Sequence, residues 1–305
     1  MDDMRWRDPD WLAGVHAWVD DRLDELGVVR TGELEQPHVY PWSTVLRVPT
    51  RQGDVWFKAS GDGLRHEAAV TARIAARRPD AVPPLLAADT TAGWMLMTDA
   101  GESLRTVVPR EQSLDRWYDV LPLYAGVQLD LADDVDELLA LGVPDMRLAT
   151  LPKGYERLMD EIGADRRFRD AAPLVADLCD ELAAFGLPEL LQHDDLHDGQ
   201  VFVRDDRPLL MDWGDVCISH PFFTLSVTLQ GVLAWGLEDV QDSVDVAPFR
   251  DAYLAPYAER FDGDLVAATE VAMRLGWACR AVNGHVPSDH DHTFTRLRMF
   301  LDGRP

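Results

Sequence analysis

Apolar residues return at helical spacing from Pro9 to Leu26: Trp11, Leu12, Val15, Trp18, Val19, Leu23 and Leu26, with Asp and Arg between them. That pattern predicts an amphipathic helix. Two extended runs follow, His38 to Val48 and Asp54 to Ala59, separated at Pro49 to Gly53 by the residues of a turn. A second helix is predicted over Leu64 to Arg77, ending before Pro79. Val82 to Ala88 and Trp94 to Thr98 read as short strands around the polar turn Asp89 to Gly93. The first hundred residues thus describe a small sheet with one inserted helix.

After Asp99-Ala100-Gly101 the period changes. Helices are predicted over Leu114 to Leu131, Tyr155 to Ile162 and Pro173 to Phe185, then strands at Gln200 to Arg204 and Pro208 to Asp212. Helical spacing resumes at Phe222 to Trp235, Ala247 to Arg260, Gly263 to Asn283 and Asp291 to Leu301. The expectation is an α+β chain with a small β-rich N-lobe (residues 1–98), a hinge (99–103) and a larger, mainly helical C-lobe (104–305). No internal repeat or low-complexity segment interrupts it.

Composition narrows the class. Hydrophobic residues at 47% and charged ones at 27% describe a globular chain. No apolar run reaches the ~20 residues of a membrane helix, and the charged start MDDMRWRDPD has no apolar signal region. Cys179, Cys217 and Cys279 stand far apart in no metal-ligand spacing, which predicts free buried thiols and a reducing, cytoplasmic setting. The formal net charge of −25 argues against nucleic acid, whose phosphates need Lys and Arg surfaces. It favours a cationic small molecule over an anionic one, although acidic residues also serve solubility alone. No protein partner is evident.

The chemistry-bearing segment is His193 to Asp215. It reads as a polar loop, His193-Asp194-Asp195-Leu196-His197-Asp198-Gly199-Gln200, then an apolar strand, a turn at Asp205-Asp206-Arg207-Pro208, and a second apolar strand ending in Asp212. A hairpin there brings Asp212 back beside the loop, so that two carboxylates and an amide oxygen converge. Phosphoryl transfer uses such a set: a carboxylate orients the attacking hydroxyl, and hard oxygen ligands hold Mg²⁺.

His193-x-Asp195-x-His197-x-x-Gln200 followed by Asp212-Trp213-Gly214-Asp215 resembles the catalytic loop and metal motif of the aminoglycoside phosphotransferase family. That family is a branch of the protein-kinase-like small-molecule kinases, choline kinases among them. Its usual pattern is His-Gly-Asp-Leu-His-x-x-Asn, then Ile-Asp-Trp or Ile-Asp-Phe. The resemblance implies a bilobal protein-kinase-like fold and ATP with Mg²⁺ as cofactors. Asp195 would be the catalytic base, Gln200 and Asp212 the metal ligands, and His193 and His197 residues that shape the loop.

Upstream, Val55-Trp56-Phe57-Lys58-Ala59 resembles the strand whose Lys holds the α- and β-phosphates, and Glu67 stands where its ion-pair partner is found. Trp94 to Gly101 resembles the adenine-binding hinge, with Met97 and Asp99 as its candidate contacts. Three departures stand out. Gln200 replaces Asn. Tyr40-Pro41-Trp42-Ser43-Thr44-Val45 occupies the place of a Gly-rich loop, with Ser43 and Thr44 either phosphate contacts or ordinary turn hydroxyls. Ser219-His220-Pro221 replaces Gly-Asp-Pro.

The expected reaction is transfer of the ATP γ-phosphoryl group to a hydroxyl of a small, amine-bearing molecule. Trp235, Glu238, Asp239, Trp277, Arg280 and Asn283 lie in the late region that lines the acceptor pocket in similar kinases, with Glu238 and Asp239 as the candidate contacts. Two alternatives stay open. A non-catalytic nucleotide-binding pseudokinase would explain Gln200 and the missing glycines. A metallohydrolase would use the His-x-Asp-x-His alternation for metal ligation but leave Lys58 unexplained.

Overall fold

Asp8 starts the first helix, α1 (Pro9–Glu25), by accepting from the backbone N–H groups of Asp10 and Trp11 at 3.0 and 2.9 Å. Pro9 fills the first helical position, where no N–H is needed. In this computed structural model, which describes residues 3–287 and 290–303, the chain divides into two compact units. One is Met1–Gly101 with Arg204–Gly214; the other is Glu102–Val203 with Asp215–Pro305.

The first unit is built on five antiparallel strands: β1 (Glu35–Val39), β2 (Ser43–Val48), β3 (Val55–Ser60), β4 (Leu85–Asp89) and β5 (Trp94–Thr98), in the order β1-β2-β3-β5-β4. The single run expected over His38 to Val48 is in fact a hairpin. Tyr40 and Ser43 exchange backbone hydrogen bonds of 2.8 and 3.3 Å around Pro41-Trp42, where Pro41 has no N–H for a ladder.

Strand alternation then sorts β3 into two faces. Val55, Phe57 and Ala59 enter a core with Val15, Val19 and Leu23 of α1 and with Leu46, Val48 and Leu96. Trp94 lies edge-on to Trp11, Trp18 and Phe57 in that core. The alternation assigns Trp56, Lys58 and Ser60 to the opposite face. A second helix, α2 (Glu67–Arg77), buries Ala68 against Met95 and Met97, with Met211 packed beside them.

The second unit is mainly helical. It opens with β6 (Glu102–Ser103) and α3 (Leu104–Glu111), a helix that Pro109 within it hid from the pattern reading. Then come α4 (Trp117–Asp130), α5 (Val135–Ala140), α6 (Leu151–Glu161), α7 (Arg166–Arg169) and α8 (Ala172–Ala183). The segment before the catalytic-type loop is β7 (Leu190–His193), and the loop leads into β8 (Val201–Arg204). Asp205 and Asp206, both at positive φ (50° and 64°), form the expected tight turn into β9 (Arg207–Leu210). Leu210 of β9 donates to the Ala81 carbonyl at 2.7 Å within the first unit.

After Asp212 the chain forms β10 (Val216–Ser219), which pairs antiparallel with β7, Val216 opposite His193. The long helix expected over Phe222 to Trp235 is broken instead into a 3₁₀ turn (Pro221–Phe223), a π-helical stretch (Ser226–Val232) and a second 3₁₀ turn (Leu233–Trp235). The widened turns serve side-chain hydrogen bonds: Ser226 Oγ donates to the Met273 carbonyl at 2.8 Å and Thr228 Oγ1 to the Leu196 carbonyl at 2.7 Å. The remaining helices are α9 (Ala247–Ala258), α10 (Leu265–Asn283) and α11 (His290–Asp302).

Candidate active site

Lys58 sits in the middle of β3, so its backbone is fixed on both sides, by Val45 of β2 and Met95 of β5. Its ammonium donates to Glu67 Oε1 at 2.6 Å and to Asp212 Oδ1 at 2.5 Å. Ser60, two residues along the same strand face, donates its hydroxyl to the other Glu67 oxygen at 2.5 Å. Lys58 and Glu67 are 7% and 1% exposed, so neither charge can turn to water. Burial disfavours the Lys58 ammonium, but the Asp212 and Glu67 carboxylates more than reverse this and hold its pKa above the usual lysine value. Burial pushes the Glu67 carboxyl up, with Lys58 opposing the shift.

Asp212 itself occupies left-handed backbone (φ 63°), where a short polar side chain is tolerated. His66, just before α2, contacts the Gly214 carbonyl through Nε2 at 2.9 Å, and burial lowers its pKa. Thus the expected Lys58–Glu67 pair forms, and Asp212 and Ser60 join it in one cluster.

In the second unit the loop after β7 is held by hydroxyls from three positions. Tyr124 accepts the His193 N–H at 2.7 Å, Thr224 donates to the His193 carbonyl at 2.9 Å, and Thr228 takes the Leu196 carbonyl. His193 Nδ1 accepts the Asp195 N–H at 3.2 Å, and His197 Nδ1 accepts the Gly199 N–H at 2.9 Å. Both histidines therefore shape the loop from within. Because its Nδ1 is an acceptor, His197 carries its proton on Nε2, which faces Asp195 Oδ2 at 3.8 Å. Burial lowers the His197 pKa, against the opposing pull of Asp195. Gln200 ends the loop, its N–H donating to the His197 carbonyl at 2.9 Å.

Sequence reading missed the way α10 grips this loop. Arg280 donates to Asp195 Oδ1 and to the Asp194 carbonyl. Burial opposes the Arg280 charge, and Asp195 and Asp194 outweigh it, raising its pKa. Asn283 donates to Asp194 Oδ2 at 3.1 Å and to the Asp215 carbonyl at 3.0 Å. Asp194 is buried, and burial raises its pKa to about 6 despite Arg280. The signal lay in the motif itself, since the family pattern has Gly where this chain has Asp194. Arg105 also was not foreseen: it donates to Asp198 Oδ1 at 2.9 and 2.8 Å and lies 3.2 Å from His197 Nδ1.

Other sequence candidates fall elsewhere. Thr44 is buried, and its hydroxyl donates to the His38 carbonyl at 2.7 Å while accepting from Gln36 at 2.9 Å, which commits it to the β1–β2 pair. Ser43 is a strand residue opposite Ser60. Met97 is interior, and Asp99 accepts from the Trp56 indole at 2.7 Å and the Gly101 N–H at 2.8 Å. Glu238 and Asp239 lie in an exposed turn and make no hydrogen bond or ion pair among the described residues. The three cysteines are free and buried, as expected. His220 is buried and structural: its Nδ1 accepts the Phe222 N–H at 3.3 Å. Among the described residues no three His, Cys, Asp or Glu side chains are grouped to hold a metal ion, as a metallohydrolase reading requires. No described helix is long and apolar enough to cross a membrane.

No curated protein matches the chain in sequence. Solved structures share its fold: an ethanolamine kinase of Plasmodium vivax (TM-score 0.63, 12% identity) aligns over 88% of this chain and 81% of its own. A macrolide 2′-phosphotransferase of Brachybacterium faecium (TM-score 0.56, 14% identity) aligns over 92% and 96%. The ternary complex of APH(2″)-IIa with streptomycin and ATP (TM-score 0.58, 13% identity) aligns over 93% and 97%. The fold is therefore that of the protein-kinase-like small-molecule kinases. The family model described as the phosphotransferase enzyme family (APH) matches residues 42–268, so the resemblance carried by the His193–Asp215 segment holds, and the chain belongs to that family.

Proposed function

We propose that this phosphotransferase moves the γ-phosphoryl group of ATP to a hydroxyl of a small molecule, with Asp195 as the base. The observation that carries the reading is Lys58, buried and bonded at once to Glu67 and Asp212. A buried cation between two carboxylates is costly to build, and a phosphate-holding lysine next to a metal-binding aspartate gives it a purpose. ATP is the nucleotide in the APH(2″)-IIa complex that shares the fold.

In the proposed reaction the acceptor hydroxyl gives its proton to Asp195 Oδ2. Its oxygen bonds the γ-phosphorus, the bond from that phosphorus to the β,γ-bridging oxygen breaks, and ADP leaves. Lys58, fixed by Glu67, holds the nucleotide phosphates. The Asp212 carboxylate and the Gln200 amide carry hard oxygen atoms of the kind Mg²⁺ prefers, and Asp212 is partly open to solvent, with 37% of its side chain exposed. When bound, Mg²⁺ neutralises charge on the phosphates. The net charge of −25 draws an amine-bearing acceptor towards the protein, consistent with a fold shared with an ethanolamine kinase and a streptomycin-binding phosphotransferase. Glu238 and Asp239 remain candidates only by their exposed negative charge.

The test is incubation with Mg·ATP and a panel of hydroxylated amines, followed by detection of ADP and a phosphate ester. Ester formation that collapses in Asp195→Asn supports the assignment. Mg·ATP binding without transfer to any member of a broad panel would favour a pseudokinase.

A further inference from the structure

Arg280 is a long cation with only 12% of its side chain exposed, and it divides its guanidinium between two neighbours of one loop. One nitrogen binds the Asp194 carbonyl and the other binds Asp195 Oδ1. A planar guanidinium with both arms engaged fixes the direction of whatever it holds. Here that is the carboxylate proposed as the base. At the other end of the same residue, the Asp195 N–H is held by His193 Nδ1. The carboxylate is thus tied at backbone and tip. Oδ2 takes no hydrogen bond among the described residues and lies 3.8 Å from His197 Nε2.

The support behind Arg280 is equally specific. Asn283, three residues on along α10, binds the Asp194 carboxylate and the Asp215 carbonyl. Arg296 of α11 donates to the Gly284 carbonyl at 2.5 Å, just past the end of α10. These contacts leave the α10 terminus little freedom to move relative to the loop.

We propose that Arg280 is a positioning residue for phosphoryl transfer: by occupying Oδ1 it presents Oδ2 of Asp195 as the one oxygen open to the acceptor hydroxyl. The proposal rests on Asp195 being the base. It separates Arg280 from a purely structural counter-ion for Asp194, which would act on stability and not through Asp195.

A double-mutant cycle on the full chain distinguishes these roles, with ADP release from Mg·ATP measured in the presence of the mixed panel of hydroxylated amines. Arg280→Met is expected to lower kcat about 30- to 100-fold, the scale of a misplaced reacting group, with KM for ATP changed less than about twofold. Arg280→Lys restores part of the loss. In an Asp195→Asn background the same Arg280→Met change alters kcat by less than about threefold, because its effect passes through the missing carboxylate. If Arg280→Met does not fold, Asp194→Asn/Arg280→Met removes the buried anion together with the cation and is compared with Asp194→Asn. Unchanged kcat in the Arg280 variant while Asp195→Asn is inactive would overturn the proposal alone. So would losses that multiply fully in the double variant. Full activity of Asp195→Asn would remove the base assignment, and the proposal with it.

Discussion

Lys58→Met removes the cation that joins Glu67 and Asp212 and leaves Glu67, at 1% exposed, with the Ser60 hydroxyl as its remaining hydrogen-bond donor. At 2.6 Å and an effective dielectric of ~20, the Lys58–Glu67 attraction alone is roughly 6 kcal/mol before desolvation. Most of this offsets the cost of burying both charges, so the pair contributes little over an apolar replacement, whereas breaking it from one side costs about 3–5 kcal/mol. Urea unfolding at pH 7.5 should therefore show a large drop in midpoint for Lys58→Met. Lys58→Met/Glu67→Leu, which removes the stranded carboxylate, should recover most of it.

The single variant should also regain stability as pH falls. Burial already raises the folded-state pKa of Glu67, and loss of Lys58 raises it further. The folded state then binds a proton at a higher pH than the unfolded chain does, which favours folding on acidification. A Lys58→Met protein as stable as wild type, or a double variant no better than the single one, would refute the reasoning.

Other consequences follow from particular contacts. Gly276→Ala would place a Cβ 2.1 Å from Ser226 Oγ and 2.8 Å from the Phe223 carbonyl; a loss of about 1–3 kcal/mol is expected in thermal unfolding. Thr228→Val keeps the shape but strands the buried Leu196 carbonyl, so stability should fall by about 1–3 kcal/mol, with kcat falling more than KM. Burial lowers the His220 pKa from 6.5 to about 3. The folded state therefore resists a proton that the unfolded chain accepts: stability is full above pH 6.5 and declines as pH falls towards 3. The total contribution is on the order of 5 kcal/mol, and urea midpoints of His220→Asn should show a flatter acid limb than wild type.

Much of this was legible in the sequence because local rules agreed with the fold. The strand expected over Asp54 to Ala59 formed as β3, and the Asp205-Asp206 turn closed where its residues allow positive φ. The hairpin at Pro41 was hidden inside an apolar run, and the helix over Phe222 to Trp235 broke because Ser226 and Thr228 bond carbonyls distant in sequence. Tertiary contacts of that kind leave no periodic trace. Arg280 was visible only as one of several late residues near an acceptor pocket, since its contact with Asp195 depends on a loop 85 residues earlier. Asp194 was different: its departure from the family glycine was in plain view, but a buried aspartate acquires significance only once Asn283 and Arg280 are found against it.

The central claim is that Asp195 acts as the base in transfer of the ATP γ-phosphoryl group to a hydroxyl. Its most direct test is the rate of phosphate-ester formation from Mg·ATP, measured by mass spectrometry with the acceptor panel, for wild type and Asp195→Asn at matched fold stability. A fall in kcat of about 10²- to 10⁴-fold, with nucleotide binding retained, is the expected result. Ester formation at an unchanged rate in Asp195→Asn would contradict the account.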